Sequence, residues 1–422
     1  MGMKGKILAV LAGVATVAAI AATAASGATR ADGITSSSIT VGGTFPLTGV
    51  ASLYKTIPAA EKAYFDYLND TKGGVNGRKI NFLIKDDAYS PAQTVPLAQQ
   101  LVESDKVFAV LGSLGTAPGL STWDYLNGKR VPQLFLATGD SYWGFCHYSK
   151  CPGQRIKHQY TIGWQPDYPG EAKQYGKYIA ANYGSNKIGV LYQNDAFGKN
   201  YYNGLRIGLG AKKSNIVDAE TYDATQTTVT QQILTLKSKG AEVFVIFATP
   251  SQAMSALVTA TKVGWTRPAT FLGNISANRL FMLSAAANGA DLTNVISSSY
   301  VKSPTVDAND AGIKLASSII GTYAAALKPS FDRGDTNIVY GLGVAWTFAY
   351  ALSHAGKNPT RATLVKAVEN MNTTANPFLP KGFSIKTGKH DAFPIEQLQM
   401  IKWQGGGTGD WQNFGAVLSG IR

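Results

Sequence analysis

The stretch VFAVLGSLGTAPGLS, Val107 to Ser121, decides the fold. Its first five residues are apolar without interruption, as in a strand buried on both faces. Its last four open an amphipathic run over residues 118–127, with Pro118 at a first-turn position that suits proline. Between them lie Gly112, Ser113, Leu114, Gly115 and Thr116, a bare turn rich in donors. Strand, short turn and helix in that order form the repeating unit of an α/β sheet. The helix start leaves backbone N–H groups free, and its positive end favours an anion. No Gly-Lys-Ser/Thr follows, so a carboxylate suits the turn better than a triphosphate. A helix capped without any ligand is the alternative that these residues leave open.

The same unit recurs on both sides. Strands are expected at residues 39–45, 80–84, 131–136, 187–192, 243–247, 270–272 and 398–403. Helices are expected at 57–69, 91–103, 171–183, 198–210, 227–239, 251–263, 340–354 and 360–370. An irregular segment rich in Tyr, Trp, Gly and Pro, about 139 to 169, separates two series. This predicts α/β architecture with two doubly wound lobes, whose ligands sit outside the carboxyl ends of the strands. A chain of 422 residues is also long for a single core.

Residues 1–28 are set apart. Lys4 and Lys6 precede an apolar, alanine-rich run from Ile7 to Ala22, the pattern of an export signal. The rest offers no further stretch long enough to span a bilayer, and no cysteine near the cleavage region could carry a lipid. The net charge is +13, but its lysines and arginines are scattered singly, which argues against a nucleic-acid surface. The only two cysteines, Cys146 and Cys151, are expected to form a local disulfide in an oxidising compartment. His147 and His158 lie near them, but the spacing matches zinc-site patterns poorly, so no metal is expected.

Nothing in the chain arranges a catalytic centre. Four histidines are present, none in a His-Glu-x-x-His pattern, and no Gly-x-Ser-x-Gly elbow or dinucleotide fingerprint occurs. The aspartates Asp86, Asp87, Asp140, Asp167 and Asp195 read as turn and cap formers. Tyr54, Tyr142, Trp143 and Phe197 fall in loops after strands or at lobe edges, where aromatic residues line pockets or pack lobes together.

Read in order, Gly43-Thr-Phe-Pro-Leu-Thr-Gly49, Lys72-Gly-Gly-Val-Asn-Gly-Arg78, Asp86-Asp-Ala88, Val110-Leu-Gly112, Tyr192-Gln-Asn-Asp-Ala-Phe-Gly198 and Phe271-Leu-Gly-Asn274 resemble the substrate-binding proteins of branched-chain amino acid ABC transporters, the leucine/isoleucine/valine-binding type. The resemblance covers nearly all of the chain after the leader. It implies the type I periplasmic binding fold, with two lobes joined by a three-crossing hinge. Lobe 1 would hold residues 36–165 and 300–397, and lobe 2 residues 166–299 and 398–422. It also implies a non-enzymatic, exported monomer, without cofactor or metal, that gives a small-molecule ligand to an ABC permease.

Carried over by position, the ligand-covering aromatic is Tyr54. The carboxylate donors are Ser113, Leu114, Gly115 and Thr116. Ala137 and Gly139 follow the next strand, Phe197 stacks from the second lobe, and Thr249, Pro250 and Ser251 give a further wall; the loop aromatic Trp143 and Asn274 are expected at the site beside them. One position departs from the resemblance. Where amino-acid binders place an acid to neutralise the ligand ammonium, this chain has Asn274-Ile275-Ser276. An unpaired buried ammonium costs several kcal/mol. The expected ligand is therefore a small carboxylate without an amine, aromatic or branched. A branched-chain amino acid binder proper, or a ligand sensor on the same fold, is the alternative.

Overall fold

The computed structural model describes residues 32–144, 158–388, 391 and 393–421. Cys146 and Cys151, and the leader, lie outside the described residues. Five strands, Ser38–Phe45 (β1), Lys79–Asp86 (β2), Ala109–Leu111 (β3), Gln133–Leu136 (β4) and Thr161–Gly163 (β5), form one parallel sheet in the order β2-β1-β3-β4-β5. Five more are Ile188–Gln193 (β6), Ile216–Tyr222 (β7), Val243–Phe247 (β8), Thr270–Leu272 (β9) and Val295–Ser299 (β10). They repeat that order in a second parallel array, β7-β6-β8-β9-β10. After a small pair, Asn372–Thr373 (β11) with Ile385–Lys386 (β12), strand Gln397–Gln404 (β13) joins the second sheet antiparallel to β10. Asp410–Asn413 (β14) and Leu418–Ser419 (β15) pair with β13.

Helices cover both faces of each sheet. In chain order they are Thr56–Lys72 (α1), Pro91–Gln99 (α2), Thr116–Gly128 (α3), Tyr168–Asn182 (α4), Ala196–Leu209 (α5), Thr230–Ser238 (α6), Pro250–Lys262 (α7), Arg279–Ala287 (α8), Ala311–Tyr323 (α9), Lys328–Asp332 (α10), Thr336–His354 (α11) and Arg361–Val368 (α12). Burial on both faces explains the uninterrupted apolar strands. In β8, Phe244 and Ile246 join one core, while Val243, Val245 and Phe247 join the core on the opposite face.

The chain leaves the first sheet after β5 to build α4 and the second sheet. It returns after β10, so that α9 and α11 pack on α1, and then enters the second sheet again at β13. Those are the three crossings of a two-lobed binding fold. In each sheet the order reverses between two strands, β1 and β3 in one and β6 and β8 in the other. At such a reversal, crossovers on opposite faces leave a crevice at the strand ends. The two crevices face each other.

Several strands escaped the sequence reading, β5, β11 and β12 among them, and β7 and β10 show why. The edge strand β7 reads Ile-Val-Asp-Ala-Glu-Thr-Tyr and is half-buried along most of its length, so no apolar run marks it. β10 ends in Ser297, Ser298 and Ser299, a composition of turns, yet its first four residues are buried. α3 starts at Thr116, two residues before the expected Pro118, and α4 starts at Tyr168 rather than at 171.

α4 and α5 pack through glycine. A Cβ on Gly204 would overlap the Pro169 backbone, and one on Gly208 the Lys173 backbone. Gly321, exposed in α9, has open space around it. Gly208→Ala is therefore expected to lower stability by about 1–3 kcal/mol through overpacking. Gly321→Ala should raise it by about 0.5–1 kcal/mol through helix propensity. Denaturant unfolding of both variants checks the pair, and equal effects would contradict this packing.

Candidate functional site

The two lobes are closed on one another. Tyr54 Oη donates to Ile275 O at 3.1 Å, and Ser251 Oγ donates to Val50 O at 3.3 Å. Asn278 Nδ2 donates to Asp335 Oδ1 at 2.6 Å. Asn200 Nδ2 donates to Asp140 Oδ2 at 3.0 Å, and Ser141 Oγ donates back to Asn200 Oδ1 at 2.7 Å. Each of these bonds joins a loop or helix end of one lobe to the other. They enclose a cavity of about 350 Å³ at the strand ends, within the size range of small-molecule sites.

Aromatic residues dominate the wall. Tyr54 sits on the short helical turn after β1. Tyr89 is brought in by an unusual turn after β2, in which Ala88 and Tyr89 have φ of 48° and 63°. Two aspartates hold that left-handed pair. Asp86 Oδ1 accepts from the N–H groups of Leu47 and Ala88, and Asp87 accepts from Tyr89 N and Thr94 Oγ1. Such side chain to backbone bonds are what makes aspartate a turn former. The Tyr89 ring lies where a Cβ on Gly115 would be, and Gly115 has φ of 106°. Only glycine meets both demands there. Phe197, capped by Asp195 at the start of α5, stands T-shaped to Tyr168 with ring centroids 5.1 Å apart.

Seven residues expected at the site or just beside it line this cavity: Tyr54, Leu114, Gly115, Ala137, Phe197, Thr249 and Asn274. The others expected there lie elsewhere. Ser113 Oγ accepts from Thr44 N at 3.1 Å and ties β3 to β1. Thr116 is buried, and its hydroxyl pairs with Thr138 Oγ1 at 2.5 Å instead of facing the cavity. Gly139 gives room to Pro166 O and the Tyr168 ring. Trp143 packs with Trp123 and Leu136 in a separate small core. Pro250 occupies the first turn of α7, and Ser251 is a lobe-to-lobe contact.

The donors of the turn are also partly used. Leu114 N–H goes to Thr44 O at 3.0 Å, and Gly115 N–H reaches Ala137 O at 3.3 Å. The N–H groups of Thr116 and Ala117 have no acceptor within the helix. Tyr89, Gln165, Tyr168, Tyr300 and Tyr340 line the cavity and were missed. Tyr89 stands three residues past β2, where a consistent search of strand ends would have found it, whereas Gln165 follows β5, which lies inside the segment read as irregular.

The sequence pattern of the periplasmic binding protein family matches residues 38–408. The chain belongs to this family. It is 27% identical over 168 residues to Leu/Ile/Val-binding protein homolog 2 of Brucella abortus, covering 40% of this chain and 42% of that protein. It is 26% identical over 146 residues to an amino acid binding protein of Pseudomonas aeruginosa, covering 32% of this chain and 34% of that one. The chain thus spans about two-fifths or less of these curated relatives.

Solved structures share the whole fold. A fatty acid ABC transporter substrate-binding protein from Thermomonospora curvata has a TM-score of 0.74 at 18% identity, covering 93% of this chain and 96% of that one. A branched chain amino acid ABC transporter protein from Thermus thermophilus with bound valine gives 0.76 at 18%, covering 91% and 97%. A solute binding protein from Rhodopseudomonas palustris BisB5 in complex with 3,4-dihydroxy benzoic acid gives 0.73 at 20%, covering 91% and 98%.

Three buried carboxyls surround the cavity without lining it. Glu171 accepts from Tyr175 Oη at 2.6 Å, Tyr201 Oη at 2.8 Å and Asn274 N at 2.7 Å, which fixes the loop after β9. Glu61 on α1 lies beside Gly112, and neither of its oxygens has a hydrogen-bond partner among the described residues. Burial raises the pKa of both. Asp140 is fully buried between the lobes, and desolvation together with Asp195 and Asp167 raises its pKa to about 7 despite the bond from Tyr142 N. A carboxyl with a raised folded pKa holds a proton that the unfolded chain releases. Its stabilising contribution is complete below the ordinary aspartate value and is lost as pH rises toward about 7. Asp140→Asn is expected to remove that loss, gaining about 2 °C or more in Tm at pH 8 relative to wild type and little at pH 4. Thermal unfolding across this range decides it, and an unchanged pH slope would contradict the assignment.

Proposed function

We propose that this protein captures a small carboxylate-bearing organic solute, with an aromatic or branched body, and delivers it to an ABC importer. The observation that carries this reading is the charge of the cavity. Asn274 occupies the place of the ammonium-neutralising acid, and its amide is committed to Ser298 O. Glu171, directly behind it, is engaged by two tyrosine hydroxyls and a backbone N–H. The acids that do line the cavity, Asp307 and Asp310, belong to the segment after β10, where Asp310 is already paired with Lys302 at 2.7 Å. Among the described residues, a ligand ammonium meets no free carboxylate at the strand ends. A ligand carboxylate meets the first N–H groups of α3 and the positive end of its dipole. Valine, a fatty acid and 3,4-dihydroxybenzoic acid, named with the three structural relatives, are all carboxylic acids. Residues 1–28 would direct export, with Cys146 and Cys151 bridged in the mature monomer.

Calorimetry with benzoate, benzamide, leucine and its amine-free analogue 4-methylpentanoate tests the reading. The two carboxylates are expected to bind, with benzamide weaker than benzoate by roughly ten- to a hundredfold, the worth of a charged hydrogen bond. Leucine should bind at least tenfold more weakly than 4-methylpentanoate. Tighter binding of leucine, or equal binding of benzamide, overturns it. For the bridge, thiol titration of the unreduced, denatured protein should find no free thiol, and two free thiols would contradict it.

A further inference from the structure

Gln165 presents an amide to the cavity. It stands on the crossing from β5 to α4, is only 5% exposed, and lines the cavity. Its Oε1 accepts from Tyr340 Oη at 3.1 Å. That bond orients the amide, leaving Nε2 with no partner among the described residues. Tyr300, 4% exposed and lining the same cavity, has no hydrogen-bond partner for its hydroxyl among them either. The two residues share a wall. The Tyr300 and Tyr340 rings are 6.3 Å apart, and both pack on Trp164, the residue before Gln165. Both groups belong to residues that line the cavity and neither is spent on the protein, so together on one wall they offer a ligand acceptor two hydrogen-bond partners.

The geometry points to a second polar anchor, formed by the Gln165 amide and the Tyr300 hydroxyl, that takes an oxygen acceptor on the ligand. Resting on the carboxylate reading above, this narrows the ligand class to carboxylic acids with an oxygen substituent, hydroxy or alkoxy, on an aromatic body. The body follows from the walls. Tyr54, Tyr89, Tyr168 and Phe197 offer ring faces and edges between which a flat ring packs well. The Gln165 nitrogen also selects against an amine at that end, because it only donates and an ammonium has no lone pair to receive its hydrogen.

Three matched pairs test the anchor by calorimetry: benzoate and 4-hydroxybenzoate, phenylacetate and 4-hydroxyphenylacetate, 3-phenylpropionate and 3-(4-hydroxyphenyl)propionate. The ring oxygen stands progressively farther from the carboxylate. In wild type, at least one hydroxylated member should bind three- to tenfold tighter than its parent, and its methoxy analogue should keep part of that gain as a pure acceptor. Gln165→Leu and Tyr300→Phe should each bring the pair within about twofold of one another, any change in parent affinity being shared by both members. Gln165→Glu, which replaces donors by acceptors, should weaken the methoxy member, a pure acceptor, below its parent. An unchanged thermal unfolding midpoint and measurable parent binding show that a variant has kept its cleft. If the parents bind but no oxygen adds affinity, or the gain survives in Gln165→Leu, the anchor is wrong and the carboxylate reading stands. If no parent acid binds, the carboxylate reading fails and the anchor falls with it.

Discussion

The cleft depends on how one tryptophan is seated. Trp164 is fully buried on the first crossing between the lobes. Its indole N–H donates to Thr347 Oγ1 at 2.9 Å, so the crossing is pinned to α11 by a satisfied bond inside the core. Its six-membered ring lies where Gly343 leaves room, and a Cβ there would intrude on it. Tyr340 stands edge-on at 4.8 Å and Tyr300 at 6.2 Å, so strand ends and helix starts from both lobes converge on one ring. A buried indole with its N–H paired has little freedom to shift. The next residue, Gln165, inherits that fixed position, as does the start of α4 three residues later.

From this anchor the lobes meet through few and mostly polar contacts. Tyr54, Ser251 and Asn200 each contribute one or two hydrogen bonds across the cleft, and such bonds add only about 0.5–1.5 kcal/mol each. The large apolar clusters lie within the lobes, on either side of each sheet. Two rigid bodies joined by a weakly held polar seam are what hinge closure around a solute requires. The like-charged trio of Asp140, Asp167 and Asp195 at one edge of the seam makes closure there less favourable when all three are ionised. Asn200 offsets part of this by donating to Asp140.

Much of this was legible in the sequence because the strands are buried on both faces. Val107 to Leu111 and Val243 to Phe247 cannot face water on either side, and their composition says so. β7 and β10 were illegible for the opposite reason. One sits at an edge with half-wet side chains, and the other spends its serines on internal bonds, such as Ser297 Oγ to Leu272 O at 2.7 Å. Within the site, the residues that were found follow recognised strands, Tyr89 past β2 was overlooked, and Gln165 and Tyr300, after the unrecognised β5 and β10, carried no signal. Thr116 and Trp143 show the limit of reading by position. Each occupies an expected loop or helix start, but whether a side chain turns to the cavity or the core is set by neighbours distant in sequence, Thr138 in one case and Trp123 in the other.

The turn from Gly112 to Thr116 serves less as a ready-made anion hole than as a joint. Its three middle residues bind other strands: Ser113 and Leu114 hold Thr44 of β1, and Gly115 reaches Ala137 beyond β4. These bonds make the crevice at the strand reversal rigid before any solute arrives, which lowers the ordering cost of binding. They also bring Tyr89 down onto Gly115, so the floor of the cleft is aromatic where a phosphate loop would expose bare backbone. On the proposed reading, a solute entering here offers a flat apolar face to that floor and keeps its charge where donors remain. Those donors are the first N–H groups of α3 and the Gln165 and Tyr300 groups on the wall beside Trp164. Selectivity would then arise from the spacing between the two kinds of donor. The hinge crossing fixes the position of one and the β3 turn fixes the position of the other.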